Sequence, residues 1–271
     1  MASQQAARRW APFSSTGLYT SPAAPTSQVV TVTATSAADS TKSASSSVIL
    51  VTPGQVTSTQ NPQVEQYSFT SPTDANVTIQ FGADTSYGLE TWSQPVPAGG
   101  GTLNMLVAGM KANTTYHMRA TMRFASGAQY VDSAHTFTTG GLPASLSLPD
   151  IAITVPPGPS TSPGIELLAL SPSPPGTNAP RAAAVDLYGN LIWYYDISNI
   201  PEVGYDIPFP IKLLANGHMK LVIGSVAPNV PVSTLREIDL AGSVISELTT
   251  ADLNARLARA GLRPLVRRIP P

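Results

Sequence analysis

Residues 186–192 read Asp-Leu-Tyr-Gly-Asn-Leu-Ile, and the pattern returns at residues 239–245 as Asp-Leu-Ala-Gly-Ser-Val-Ile. Between the two copies, residues 213–223 place an Asn-Gly pair between apolar residues. An aspartate and a glycine at fixed separation build a tight turn, and alternating apolar residues around it form strands. One propeller blade occupies about 40–50 residues, close to the spacing of the repeat. The sequence therefore predicts that residues 164–271 are the first one to two blades of an incomplete β-propeller.

Composition limits the classes of protein that this chain can be. Charged residues make up 11% of the sequence, and the net charge of −1 gives no electrostatic basis for binding nucleic acid. The absence of cysteine excludes disulfides, thiolate metal sites and cysteine nucleophiles. No apolar run is long enough to span a bilayer, and Arg8-Arg9 has no apolar segment behind it, so we predict no membrane span and no signal peptide in this chain. The low charge is typical of exported β-proteins, and we expect a signal-bearing N-terminal portion to be missing.

The region 164–271 is predicted to consist of hairpins and one short helix. Its predicted strands are Glu166–Ser171, Ala182–Asp186, Leu191–Tyr195, Ile211–Leu214, His218–Ile223, Thr234–Asp239 and Val244–Leu248. The Asn216-Gly217 pair predicts a type I′ turn. The helix follows the last strand, with Thr250 or Asp252 as its cap and Gly261 as its stop.

Residues 54–140 predict a complete β-sandwich. Its strands are expected around Val77–Phe81, Leu103–Val107, Tyr116–Phe124 and Gln129–Thr138, with a turn at Ser126-Gly127. In Tyr116–Phe124 the apolar residues occupy every second position and therefore share one face. The stretch from Met110 to Tyr116 resembles the fibronectin type III phrase L-x-x-x-T-x-Y, in which the tyrosine caps a corner between two strands. That resemblance implies a fibronectin type III-like spacer without chemistry of its own.

The remaining segments flank this sandwich. In residues 1–53, strands are predicted at Gly17–Thr20, Val29–Thr35 and Ala44–Val51, with a turn at Asp39–Lys42. From Ser15 to Val51 the chain resembles the last strands of a bacterial immunoglobulin-like domain, so we expect a partial domain of that kind. A disordered Ser/Thr-rich tether is the alternative. Residues 141–163 are rich in proline and predict a semi-rigid linker that contains one short strand at Ile151–Val155. The overall fold class is therefore all-β.

Three phrases of the last region resemble one enzyme family. Residues 183–195 resemble the D-x-x-G-x-(I/V)-x-W-Y phrase of the first blade in bacterial arylsulfotransferases. Residues 213–221 are similar to the family phrase L-P-N-G-H-x-L-L, with Ala215 in place of proline, and residues 236–242 resemble x-E-I-D-x-x-G. The order and spacing of these phrases behind a fibronectin-like domain are more specific than any one of them.

The resemblance implies a periplasmic or extracellular enzyme that transfers a sulfuryl group from a phenolic sulfate donor to a phenol acceptor, without a cofactor. In the family, a histidine in the central channel takes the sulfuryl group covalently, helped by further histidines and an arginine. A neutral imidazole is a competent nucleophile at neutral pH, and cations stabilise the charge on the sulfuryl oxygens. The family's histidine-rich phrase follows the helix that we place at Thr250–Gly261, but here the sequence continues to Pro271 without a histidine. We therefore carry over no catalytic residue and expect a fragment that lacks the catalytic histidine.

The three histidines of the chain each have two interpretations. His218 follows the Asn-Gly turn. Its side chain could face a channel, but the simpler interpretation is an ordinary histidine exposed to solvent. His117 and His135 lie at equal distances from Ser126 and are expected to face each other across a hairpin. A structural cross-strand pair is favoured there over an incomplete zinc site, because no third ligand is in register.

Two further groups of residues have competing interpretations. Trp193, Tyr194 and Tyr195 either stack on an aromatic substrate or, more simply, pack in the core of a blade. Arg267-Arg268 either binds an anion or belongs to a solvated terminus. We predict no catalytic, cofactor-binding or metal-binding residue in this chain. The alternative to the enzyme family is an extracellular adhesion or scaffold protein built of β-sandwiches and a propeller.

Overall fold

The computed structural model describes Thr20 and residues 26–149, 151–170, 180–196, 208–224 and 233–263. In these residues the regular elements are strands and one helix, which confirms the all-β prediction. The strands are β1 Gln28–Thr35, β2 Ser43–Leu50, β3 Thr52–Ser58, β4 Glu65–Ser71, β5 Ala75–Gly82, β6 Leu89–Glu90, β7 Gln94–Pro95, β8 Gly101–Val107, β9 Thr115–Phe124, β10 Gln129–Val131, β11 His135–Thr138, β12 Ile165–Ala169, β13 Ala182–Asp186, β14 Leu191–Tyr195, β15 Pro208–Leu213, β16 Met219–Gly224, β17 Ser233–Ile238 and β18 Val244–Thr249. The helix α1 spans Thr250–Arg259. Residues 17–19 of the first predicted strand and the Arg267-Arg268 pair lie outside the described residues.

The strands form five sheets. One is the β1–β2 hairpin, a second has the order β3-β4-β8, and a third has the order β10-β9-β5-β6, with β11 also paired to β9 and β7 to β5. The other two follow in the C-terminal part, a three-stranded sheet β12-β13-β14 and a four-stranded sheet β15-β16-β17-β18. In both of these last sheets neighbours in space are neighbours in sequence. Each is therefore a simple antiparallel meander.

Contacts divide the chain into two compact units, each assembled from separate stretches of sequence. The first contains the described residues up to Gln55 together with Tyr67–Met105 and His117–His135. The second contains Val56–Gln66, Leu106–Tyr116 and the described residues from Thr136 onward.

Alternation of side chains builds the core around β5 and β9. Every second residue of β9 from Tyr116 to Phe124 is buried, as the sequence predicted, and Val77 and Ile79 of β5 are fully buried. The two strands pair antiparallel with Val77 opposite Met122. The return through Gln129–Thr138 is not one strand, because residues 132–134 interrupt it and separate β10 from β11. The predicted strand at Ile151–Val155 is wrong, since this stretch has no regular structure.

The repeated phrases form turns of identical construction. Three five-residue turns share this construction: the two copies, Asp186–Asn190 and Asp239–Ser243, and the turn between them, Leu214–His218. In each turn the N–H of the first residue donates to the carbonyl of the fifth residue. The fourth residue is a glycine, and its N–H donates to the carbonyl of the first residue. Gly189, Gly217 and Gly242 have φ between 79° and 89°, in the left-handed region that glycine enters without strain. Asn216 does not share this conformation. The predicted type I′ turn is therefore wrong, and the three-residue loop ends in a glycine bulge instead.

The aspartates of the repeat shape these turns. Asp186 Oδ1 accepts the backbone N–H groups of Tyr188 and Asn190, each at 2.9 Å. Asp239 Oδ1 accepts the N–H of Ser243 at 2.8 Å. A short acidic side chain that accepts hydrogen bonds from the following backbone is a common means of fixing a turn. The repeat is thus a structural device in both sheets.

The C-terminal sheets β12–β14 and β15–β18 share one apolar core. Strand β13 places alanines opposite aromatic residues of β14, so that Ala184 pairs with Trp193 and Ala182 with Tyr195. These four residues pack in a cluster that also contains Met219, Leu221, Ile223 and Ile238 of the four-stranded sheet. The first strands of the two sheets, β12 and β15, lie close together.

The N-cap of helix α1 is neither of the two predicted residues, Thr250 and Asp252, but Thr249. Thr249 is the N-cap, its hydroxyl accepts the N–H of Asp252, and the Asp252 carboxylate accepts the N–H of Thr249 in return. This capping box satisfies two backbone donors that a helix end leaves free. At the other end, Gly261 with φ of 69° follows the last turn, as predicted.

The corner between β8 and β9 is held by a tyrosine. Tyr116 is buried, and its hydroxyl accepts the backbone N–H of Lys111 at 2.9 Å. We expect Tyr116→Phe to lower the free energy of unfolding by about 1–1.5 kcal/mol, because the Lys111 N–H loses its partner. Urea denaturation followed by circular dichroism measures this loss. Tyr188→Phe, at a residue that is 70% exposed, is the matched control and should change nothing.

Candidate functional site

The predicted pair of histidines does not form. No described hydrogen bond or ring contact joins His117 to His135; instead the His135 ring lies edge-on to Tyr67, with centroids 5.4 Å apart. The hairpin begins in the expected register, with Gln129 opposite Arg123, but farther along Thr138 Oγ1 lies 2.8 Å from Thr115 Oγ1. The pairing has moved by one residue, and such a shift turns side chains to the opposite face of a sheet.

His135 belongs to a network centred on Asp132, in the first unit. Asp132 is 5% exposed, and its Oδ2 accepts the Gly54 N–H and the Tyr67 hydroxyl, both at 2.7 Å. His135 Nε2 lies 3.2 Å from the same oxygen. The other oxygen, Oδ1, accepts the Tyr130 hydroxyl at 2.9 Å and the Ser133 N–H at 2.8 Å. Five polar groups thus converge on one carboxylate: three are within three residues of Asp132, and two, from Gly54 and Tyr67, are distant in sequence.

The electrostatics of this network favour the charged form of the aspartate. Burial raises the pKa of Asp132, but hydrogen bonds from Tyr67, Gly54, Tyr130 and Ser133 outweigh it and hold the pKa below its ordinary value. Burial and the neighbouring carboxylate raise the pKa of both tyrosines. The phenols therefore stay neutral donors, and the network is saturated. It fixes the interruption between β10 and β11.

His218 lies in the second unit, where the predicted turn places it. Its Nδ1 is 2.8 Å from Glu237 Oε1 and 3.0 Å from Asn216 Nδ2. Lys220 Nζ lies 3.3 Å from the other oxygen of Glu237. The hydrogen bond from His218, with help from Lys220, lowers the pKa of Glu237. His218 is thus part of a partly exposed ionic cluster on one hairpin.

The aromatic residues Trp193, Tyr194 and Tyr195 are buried, at 2%, 6% and 8% exposure, rather than open to a substrate. The Trp193 indole donates to the carbonyl of Leu240 at 2.7 Å, and the Tyr195 hydroxyl accepts Nη1 of Arg236 at 3.1 Å. The Arg236 Nε also donates to Glu247 at 2.6 Å. This arginine is therefore already neutralised by a carboxylate.

A short segment with many side chain to backbone hydrogen bonds lies at the centre of the second unit. We call Thr59–Gln66 the docking segment. Its polar side chains hold carbonyls of other elements: Gln60 donates to Ala241 at 3.1 Å, Asn61 to Tyr194 at 2.9 Å, and Gln63 to Met110 and Leu191 at 3.2 and 3.1 Å. Beside it, Lys111 forms an ion pair with Asp186 at 3.3 Å. Both copies of the repeated turn thus contact the same region of this unit.

Two residues of the docking segment contain buried acceptors without a donor. Gln63 and Glu65 are both fully buried, and Gln63 Oε1, Glu65 Oε1 and Glu65 Oε2 have no hydrogen-bond partner. Burial raises the pKa of Glu65 to about 8. The carboxyl is therefore protonated at neutral pH, because an ionised group without a partner is costly in an apolar core.

The first unit also has two shallow grooves. One, of about 390 Å³, is lined largely by hydroxyl side chains, including Ser27, Thr52, Thr70 and Thr102. The other, of about 400 Å³, has Asp74 at its rim and Arg123 in its lining. Within the described ranges, no three histidine, aspartate or glutamate side chains are grouped closely enough to hold a metal ion. No helix in those ranges has the length and apolar character needed to cross a bilayer.

Sequence reasoning missed Asp132 and Glu65. A signal existed for Glu65, because Glu65, Tyr67 and Phe69 alternate on one face of a strand and an acidic residue stands at an inward position. The alternation that marks Glu65 is lacking for Asp132, and two of its partners, Gly54 and Tyr67, are far from it in sequence.

The chain was compared with known proteins. No model of a known protein family matches it, and a search of curated proteins gives no match either. The functional conclusion therefore depends on geometry and on the sequence phrases quoted above.

Proposed function

We propose that this chain provides a β-sandwich and the first two propeller sheets of an arylsulfotransferase-like protein, which transfers a sulfuryl group from a phenolic sulfate to a phenol. In this proposal the β1–β2 hairpin belongs to an immunoglobulin-like domain, and β3–β11 form a fibronectin type III-like domain. The low charge of the surface supports a place outside the cytoplasm.

The observation that carries the proposal is the pair of C-terminal sheets. Propeller blades are antiparallel meanders of about four strands, packed face to face around an axis. The sheets β12–β14 and β15–β18 are consecutive meanders with a common core, and they approach each other at their first strands. Each carries the same Asp-Leu-x-Gly turn between two strands. These features are what two neighbouring blades would have.

In this proposal no histidine of the chain is assigned as the sulfuryl carrier, because the family's histidine-rich phrase does not occur in residues 1–271. A sulfuryl carrier needs an imidazole nitrogen that is free to attack the donor. His135 and His218 each place one ring nitrogen against a carboxylate, which leaves the other nitrogen of each ring, and His117 belongs to strand β9. We propose that the reactive histidine comes from polypeptide other than residues 1–271.

The first test is a transfer assay with p-nitrophenyl sulfate as donor and phenol as acceptor, followed by release of p-nitrophenolate. We expect no release above the buffer rate from the chain alone, for the reason just given. His218→Ala is the matched variant. Turnover by the wild-type chain that this substitution removes would identify His218 as the carrier and contradict the proposed division of the site.

The second test addresses the family itself. The coding region beyond residue 271, translated in every frame, should encode further Asp-x-x-Gly hairpins and a histidine-rich phrase. The polypeptide that includes them should release p-nitrophenolate. A longer polypeptide with further hairpins but no turnover and no binding of p-nitrophenyl sulfate by calorimetry would contradict the enzyme proposal.

A second candidate function is adhesion or scaffolding outside the cell. The observation that favours it is the groove lined by Ser27, Thr52, Thr70 and Thr102, whose hydroxyl side chains would suit a hydroxyl-rich ligand. Binding of the chain to immobilised glycans, abolished by Thr102→Val, would favour this function over sulfuryl transfer.

A further inference from the structure

Glu65 is the most unusual titratable group among the described residues. It begins strand β4, it is fully buried, and neither of its oxygens has a hydrogen-bond partner. The preceding inward residue, Gln63, has a buried oxygen in the same condition. A protein normally satisfies buried polar groups, so acceptors left open in a well-packed region indicate a functional or conformational role.

The strands around Glu65 supply no compensating charge. Its sheet neighbours β3 and β8 contain no ionisable residue. The other titratable group on the buried face of β4 is the phenol of Tyr67. Within the second unit, Lys111 is paired with Asp186, and neither Lys111 nor Arg181 forms an ion pair with Glu65. The carboxyl is therefore tolerated only as the neutral acid.

Glu65 is also placed where ionisation of its carboxyl would disturb contacts of the docking segment. It lies in the docking segment, directly after Val64, which is fully buried in the core shared with Trp193 and Leu221. Two residues earlier, Gln63 donates to the carbonyls of Met110 and Leu191. The carbonyl of Pro62 accepts the N–H of Gly140 at 2.8 Å. Hydration of an ionised Glu65 would require the backbone of this segment to move away from these partners.

We propose that protonated Glu65 keeps the docking segment Thr59–Gln66 in place, and that ionisation of its carboxyl at alkaline pH loosens this segment from strand β14. The segment is thereby a pH-dependent connection within the second unit.

The direction of the effect follows from burial. Burial raises the pKa of Glu65 from 4.5 to about 8. The folded state therefore holds a proton that the unfolded state has already released, and this stabilisation is complete below pH 4.5 and is lost as the pH rises through about 8. Between pH 6 and pH 9 the opening equilibrium should therefore rise about 100-fold, because one proton is released on opening over most of this range.

The test is hydrogen–deuterium exchange of the full chain, measured by mass spectrometry at pH 6 and pH 9 and corrected for the intrinsic pH dependence of exchange. In the wild-type chain, peptides covering residues 59–66 and 191–195 should show an opening equilibrium about 100-fold larger at pH 9. In Glu65→Gln, which cannot ionise, the two values should agree. Glu65→Leu serves as a second neutral variant in case the amide disturbs folding.

Glu90→Gln is the matched control, because Glu90 is an exposed residue of β6. It should retain the response of about 100-fold. Equal opening at both pH values in the wild-type chain would overturn the proposal, and so would a response of that size that persists in Glu65→Gln or Glu65→Leu. Fluorescence of Trp193, buried in the same core as Val64, provides an independent readout: a red shift at pH 9 is expected in the wild-type chain and in Glu90→Gln only.

Discussion

Replacement of Asp132 by asparagine is expected to lower the free energy of unfolding of the first unit by about 3 kcal/mol. The reason lies in the geometry of the donors. Oδ2 accepts the backbone N–H of Gly54, and Oδ1 accepts that of Ser133. An asparagine has one oxygen and one NH₂ group, so in either orientation its NH₂ faces a backbone donor that cannot turn away. The substitution thus leaves a buried N–H without a partner and also removes the charge that strengthens the remaining bonds.

The change in the free energy of unfolding at acid pH provides a separate test of the role of Asp132. Its folded-state pKa is lowered, so its contribution is present above the ordinary pKa of 3.8 and is lost as the pH falls through the folded value. The difference between wild type and Asp132→Asn should therefore be constant near neutral pH and shrink below about pH 4. Thermal unfolding measured by circular dichroism from pH 3 to 7 records it.

Asp84→Asn is the matched control for this experiment. Asp84 is exposed and accepts hydrogen bonds from Ser86 in a surface turn. Its replacement should cost no more than about 0.5 kcal/mol. A loss of similar size in both variants would show that the Asp132 network contributes little beyond an ordinary turn.

Replacement of Trp193 by alanine should destabilise the second unit by about 3–5 kcal/mol. Trp193 is 2% exposed in the core between the two C-terminal sheets, opposite Ala184, so its removal leaves a cavity that rigid strands do not fill. The Leu240 carbonyl also loses its donor. Urea denaturation followed by far-ultraviolet circular dichroism measures the change, because the fluorescent probe itself is removed.

The chain offers a control of the same residue type. Trp92 is 41% exposed in the first unit, and Trp92→Ala should cost about 0.5 kcal/mol. Trp193→Phe separates the contribution of apolar packing from that of the hydrogen bond, because phenylalanine keeps most of the apolar area but cannot donate to Leu240. We expect it to lower the free energy of unfolding by about 1–2 kcal/mol. Equal, small losses for Trp193→Ala and Trp92→Ala would contradict a common core for the two sheets.

Local patterns predicted much of the secondary structure. The strands Ala182–Asp186 and Leu191–Tyr195 occur with the predicted bounds, because the Asp-Leu-Tyr-Gly phrase fixes the turn between them. The prediction of Thr250 or Asp252 as the cap of α1 was wrong, because the hydroxyl that accepts the third backbone N–H of the helix is that of Thr249. Strand β4 was missed, although its alternation of buried residues is regular.

The candidate site residues were less predictable. The expected register of His117 and His135 assumed an uninterrupted hairpin, and the interruption at residues 132–134 ended that register. Nothing in residues 126–138 alone reveals the interruption, because it is stabilised by Gly54 and Tyr67 from other strands. Its charge alone would have assigned Glu65 to the solvent-exposed face of a strand, but it is fully buried.

The sequence by itself determined the all-β class, the hairpins and the glycine turns of this protein, because alternation and turn chemistry act between residues close together in the chain. Only the tertiary structure decided which polar groups are buried and what they contact. The Asp132 network and the unpartnered Glu65 depend on strands far apart in sequence, and the cost of burying a charge is set by the neighbours that folding brings to it.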